Sequence, residues 1–61
     1  RGGGADDPAT LLGQADRLWD QGKKAEAAAI YARLREDFRL SLTYALNKDR
    51  IKDRSKYEPP K

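Results

Sequence analysis

Neither cysteine nor histidine occurs in this chain. The lack of thiols excludes disulfide staples, thiolate metal ligands and cysteine nucleophiles; the lack of imidazole removes the usual proton shuttle near neutral pH. Cysteine-free chains suit the cytosol and the cell envelope equally, so the redox compartment goes unread. Long hydrophobic runs are also missing. Nothing approaches the roughly 18 apolar residues of a membrane span, and no h-region of a signal peptide is present. Glycines cluster only at Gly2-Gly3-Gly4, without the lysine and Ser/Thr that complete a phosphate-binding loop, so residues 1–6 read as a flexible leader. The chain begins with Arg1 rather than Met, as expected of a processed product or a piece of a longer polypeptide.

What is present is short and highly charged. At 61 residues the chain lies near the lower limit at which one polypeptide holds a core without disulfides, metal or partners. The formal net charge is +3, and the six bases and three acids of residues 48–61 account for all of it. Residues 1–47 balance, so the basic character belongs to the C-terminal segment.

Asp6-Asp7-Pro8 is a helix start. Asp7 can accept bonds from free backbone N–H groups, Pro8 suits the first helical position, and carboxylates there complement the helix dipole. From Pro8 to Gln21, Leu11, Leu12, Ala15, Leu18 and Trp19 recur at the spacing of one helical face, with Asp16, Arg17, Asp20 and Gln21 opposite. Gly13 is a weak point costing about 1 kcal/mol against alanine, and it would mark a close helix approach. Gly22 fits the left-handed stop that glycine adopts cheaply. A second helix is predicted over 24–37, with Ala27, Ile30, Tyr31, Leu34 and Phe38 as its inner stripe. The alanines around that stripe favour helix.

The pattern Ala15-x-x-Leu18-Trp19-x-x-Gly22-Lys23-x-x-Glu26-Ala27-x-x-x-Tyr31-x-x-Leu34 resembles a tetratricopeptide repeat, a unit in which small and aromatic residues interlock two antiparallel helices. The resemblance covers roughly residues 11–37. It implies packing roles for Leu11, Ala15 and Leu18 on the first helix, the turn at Gly22, and packing roles for Ala27, Tyr31 and Leu34 on the second. Gln14 stands where the family prefers an apolar residue, and Arg39 where its terminating proline is expected. Only one copy is visible. Repeat units bury their faces on neighbours, so a lone hairpin implies further repeats, a third helix from the same chain, or a partner. We therefore expect a neighbouring surface to complete the apolar stripes on either side of Gly22.

Residues 39–47 read two ways. Phe38, Leu40, Leu42 and Tyr44 alternate with polar residues as in a strand, whereas Leu42, Ala45 and Leu46 behind a Ser41 cap suit a short helix. Helix is preferred, because a lone strand needs a sheet from elsewhere; a strand here would add to a partner's sheet. Lys48, Arg50, Lys52, Arg54 and Lys56 put a base at every even position. Extended, they share one side; helical, they split into a Lys48/Lys52/Lys56 stripe and an Arg50/Arg54 stripe with Asp49 and Asp53 between. Pro59-Pro60 ends any helix, so residues 48–61 read as a basic, proline-ended tail.

The expected fold is all-α: a helical hairpin over residues 7–38, a third element over 39–47, and the tail. No catalytic, metal or cofactor site is expected. Asp16 and Asp20 lie one turn apart, but nothing completes a metal or acid/base site around them, and they read as a solvated face. Ser41, Thr43 and Ser55 lack a base. The expected role is a non-enzymatic protein–protein interaction module, a small accessory or scaffolding subunit docking on a larger protein assembly. Leu12, Trp19, Tyr31, Phe38, Leu40, Leu42 and Tyr44 would pack or dock, while the five even-numbered bases supply complementary charge. Trp19 is either a core anchor or an interface hot spot, with core favoured by its spacing. The alternative is a nucleic-acid-associated protein, with the tail on phosphates and Tyr44 or Tyr57 stacking on bases.

Overall fold

Asp7 places a carboxylate oxygen 3.0 Å from the amide of Ala9 and 3.3 Å from that of Thr10. It thereby satisfies two of the backbone donors that every helix start leaves unpaired. Helix α1 (Pro8–Asp20) follows, with Pro8 in its first turn. A computed structural model of the protein describes residues 7–60. The leader read at residues 1–6, and Lys61, lie outside the described residues.

The end of α1 is a Schellman motif built on Gly22. The Lys23 amide donates to the Leu18 carbonyl at 2.9 Å and the Gly22 amide to that of Trp19 at 3.1 Å. Gly22 carries the φ of +88° that this closure demands and that side-chain-bearing residues rarely adopt. Helix α2 (Lys24–Asp37) starts at once. With so short a connection, the two helices can pack along each other only by running antiparallel.

Their interface is made by the predicted stripes. Leu11, Leu12 and Ala15 from α1 and Ala27, Tyr31 and Leu34 from α2 are buried, with Leu18, Trp19, Ile30 and Phe38 partly buried against them. Ala28 is buried as well. Gly13 instead faces open space, since a Cβ built there meets nothing within 4 Å. The expected close approach at that glycine is absent.

The 39–47 segment is helical where it is regular. Ser41 accepts the Tyr44 amide at 3.1 Å and caps the five-residue helix α3 (Leu42–Leu46). Among the described residues there is no strand. Asn47 then breaks the backbone and ties the two sides together. Its side-chain Nδ2 donates to the Thr43 carbonyl at 2.9 Å, and its side-chain Oδ1 accepts from Arg50 at 3.1 Å.

The segment read as a tail is helical over its first part, as α4 (Lys48–Ser55). A turn at Lys56 and chain without regular secondary structure over residues 57–60 follow it. α4 lies along α2, and its one large aliphatic side chain, Ile51, is fully enclosed in the same core. This corrects the expectation that a neighbouring surface completes the stripes beside Gly22. Tyr31, Leu34 and Ile51 are enclosed by the chain's own atoms; of the three covers the sequence allowed, the structure takes the one from within the chain. The described residues thus form an all-helical body of four helices.

Candidate functional site

The most elaborate constellation in the molecule centres on Asp16. This residue sits at the half-buried edge of α1, opposite Tyr31 of α2 and the arginines of α4. The Tyr31 hydroxyl donates to Asp16 Oδ1. Arg54 Nη1 donates to the same oxygen at 3.3 Å and to the Tyr31 hydroxyl at 2.8 Å. Arg50 Nη2 lies 3.2 Å from Asp16 Oδ2. One carboxylate thus joins three helices, and reading it as part of a solvated face was wrong. Arg50 and Arg54, one turn apart on α4, change its surroundings, and that pairing is invisible along the chain. Asp20 remains exposed. Burial above all, then the hydrogen bond and charge of Asp16, push the Tyr31 phenol above its ordinary value of 10.0, although Arg54 opposes them.

Trp19 closes the outer edge of this cluster. The Arg54 guanidinium carbon lies 4.7 Å from its ring centroid and Lys24 Nζ 5.2 Å, both within cation–π range. Tyr31 and Tyr57 meet it edge-on, at 6.1 and 5.7 Å between centroids. Trp19 is therefore half-buried within its own chain, and its cation contacts come from that same chain.

A second feature has the opposite character. Leu40, Leu42 and Leu46 are 94%, 73% and 74% exposed, clustered around α3 with no cover among the described residues. Leu42 and Leu46 lie one turn apart on the same face of α3. Next to Leu46, a shallow crevice of about 300 Å³ runs over the α3–α4 junction, lined by Ala45, Leu46, Asn47, Lys48, Asp49 and Arg50. Lys48 and Lys52 on α4, and Lys56 just past its end, are exposed.

Leu11, Leu12, Ala15, Ala27, Tyr31, Leu34 and Tyr44 therefore lie inside; Leu18, Trp19, Ile30 and Phe38 lie at the rim of the core. Gly22 forms the turn, and Leu40 and Leu42 are on the surface. Among the bases, Lys48, Lys52 and Lys56 face solvent, whereas exposed Arg50 and half-buried Arg54 both reach Asp16. Neither tyrosine considered for base stacking is free for it. Tyr44 is buried, and Tyr57 is half-buried with its ring on Trp19.

No family model, characterised protein or solved structure matches the chain. Chemistry must then be read from the geometry alone. Among the described residues, no group of three or more His, Cys, Asp or Glu side chains could hold a metal ion. No helix there is long and apolar enough to cross a membrane.

Sequence reasoning missed Ile51 as a core residue and Asp16 as a junction. A lone isoleucine among charges has no periodic partners within its own segment. Its signal was positional: Leu46 and Ile51 are the only large aliphatic residues between Thr43 and the end of the chain, so a helical 48–55 had one apolar side chain to bury.

Proposed function

We propose that this chain is a non-enzymatic protein–protein interaction module, an accessory or scaffolding subunit whose hairpin is a single tetratricopeptide-like unit. In this reading it docks on a larger protein through the leucine edge around α3. One observation carries the reading. The chain closes a core around Tyr31, Leu34 and Ile51, yet leaves Leu40, Leu42 and Leu46 largely exposed. Scattered surface leucines need no explanation, but a cluster of three on so small a body is the kind of patch that marks a binding surface.

The other reading, phosphate binding by the five even-numbered bases, has less support. Arg50 and Arg54 are committed to Asp16, and the aromatic rings that would stack on bases are covered by the chain itself. Protein docking uses the leucines that phosphate binding leaves unexplained.

The test is photo-crosslinking in an extract of the source cells. A photoreactive phenylalanine analogue is placed at Leu42 and, in a control chain, at exposed Ala29 on α2. A discrete, saturable protein adduct from position 42, absent from position 29 and lost on Leu46→Ser, is the expected result. Equal, diffuse labelling from both positions would refute the docking surface.

A further inference from the structure

Given docking through the leucine edge, the charges around that edge restrict what can dock. Arg39 precedes Leu40, and Lys48 and Arg50 line the crevice beside Leu46, with Asp49 the only acidic side chain among its lining residues. Lys48 is followed one and two turns later by Lys52 and Lys56, all exposed. None of the three ammonium groups makes an ion pair or side-chain hydrogen bond among the described residues, whereas the guanidinium groups of Arg50 and Arg54 are both paired with Asp16. The molecule therefore joins an apolar step to a row of unneutralised positive charge that its own carboxylates leave alone.

We propose that this surface receives an amphipathic helix of another protein, with leucine-like side chains on one face and carboxylates along its flank. Leu42 and Leu46, one turn apart, match apolar side chains spaced three or four residues apart on a partner helix. One partner side chain enters the crevice against Leu46. The partner's carboxylates then meet Lys48 and Lys52. Such pairs at the rim set orientation and choice of partner more than affinity.

The other occupants fit less well. A second copy of this chain would bring two lysine rows together, because the whole excess of +3 lies in residues 48–61. An anionic membrane surface would be met by a helix of five residues, far shorter than the amphipathic helices that lie in lipid. Nucleic acid would leave the leucines unpaired.

The experiment uses the full chain, isotopically labelled, in amide-resolved NMR titrations with two synthetic helical peptides of about 18 residues, or some five turns. They share leucine positions and differ only in carrying glutamate or lysine on the flank. The glutamate peptide is expected to shift amides of residues 40–50 and to bind at least about tenfold more tightly than the lysine peptide, with affinity falling as salt rises. Leu42→Ser with Leu46→Ser should abolish binding without lowering the melting temperature, and Lys48→Glu with Lys52→Glu should reverse the peptide preference. Equal affinity for both peptides at residues 40–50 would overturn the acidic partner while leaving docking intact. Binding of neither peptide, together with uptake onto vesicles of phosphatidylcholine and phosphatidylserine, would overturn it in favour of lipid. Concentration-dependent self-association in sedimentation equilibrium, lost with Leu42→Ser, would overturn it in favour of a second copy. If the same titrations and the crosslinking both fail, the docking reading falls with it.

Discussion

Replacing Ile51 with alanine tests the central structural finding, that α4 belongs to the core. Ile51 is fully enclosed and belongs to the cluster that includes Tyr31 and Leu34. Truncating a buried isoleucine to alanine costs about 2–5 kcal/mol, combining lost transfer free energy with the cavity left behind. A chain of 61 residues is held by only about 3–9 kcal/mol at the usual 0.05–0.15 kcal/mol per residue. One truncation therefore removes a large part of the margin. The assay is far-ultraviolet circular dichroism during thermal and urea unfolding. Ile51→Ala is expected to lower the melting temperature by about 8 °C or more, since each kcal/mol moves a domain of this size by about 4–8 °C. The lower urea midpoint should come with an unchanged slope, which would place the loss in stability rather than in a looser native state. Leu42→Ala is the control and should fall within about 0.5 kcal/mol of wild type, because Leu42 is 73% exposed. If Ile51→Ala melts with the wild type, α4 is not docked, and the cover over Tyr31 must come from elsewhere.

Two further perturbations follow from the same structure. Gly13→Ala and Gly22→Ala should act in opposite directions in the same melts. Gly13 is helical with open space around it, so alanine stabilises by about 0.5–1 kcal/mol, whereas Gly22 at φ +88° loses about 1–2 kcal/mol to backbone strain. The Tyr31 phenol is raised above 10.0 in the folded chain, so the fold favours its protonated form. Its contribution is present in full below the unfolded value and is lost as pH rises through the folded one. The wild type should therefore lose melting temperature above about pH 10 more steeply than Tyr31→Phe does, and parallel curves would refute the buried hydroxyl.

Much of the fold was legible in the residues. The Asp7 cap, the Gly22 stop and the stripes of α1 and α2 are local signals, each set by backbone chemistry or by a 3.6-residue period. Ser41 announced α3 in the same way. What was not legible depended on distance. Asp16 meets Arg54 across 38 positions, and no spacing rule links an aspartate on one helix to an arginine in a segment that reads equally as tail or helix. The leucines failed for another reason. Leu40 and Leu42 alternate with polar residues as buried residues would, and only the three-dimensional packing reveals that the core was already filled by Tyr44 and Ile51. The residues named for packing or docking thus divide between core, rim and surface, and the five even-numbered bases divide between two arginines paired with Asp16 and three exposed lysines.

The aromatic corner at α4 has a practical consequence. Trp19 is the chain's sole tryptophan, and its indole lies 4.7 Å from the Arg54 guanidinium carbon and 5.7 Å from the Tyr57 ring. Both neighbours come from the C-terminal part of the chain and leave when that part peels away. The indole's fluorescence therefore reports on this one latch: undocking would wet the ring and red-shift its emission even where the overall helix content barely changes. The protein carries an intrinsic optical probe at the seam where its last helix closes over the first two, and stopped-flow measurements can follow that closure without any added label.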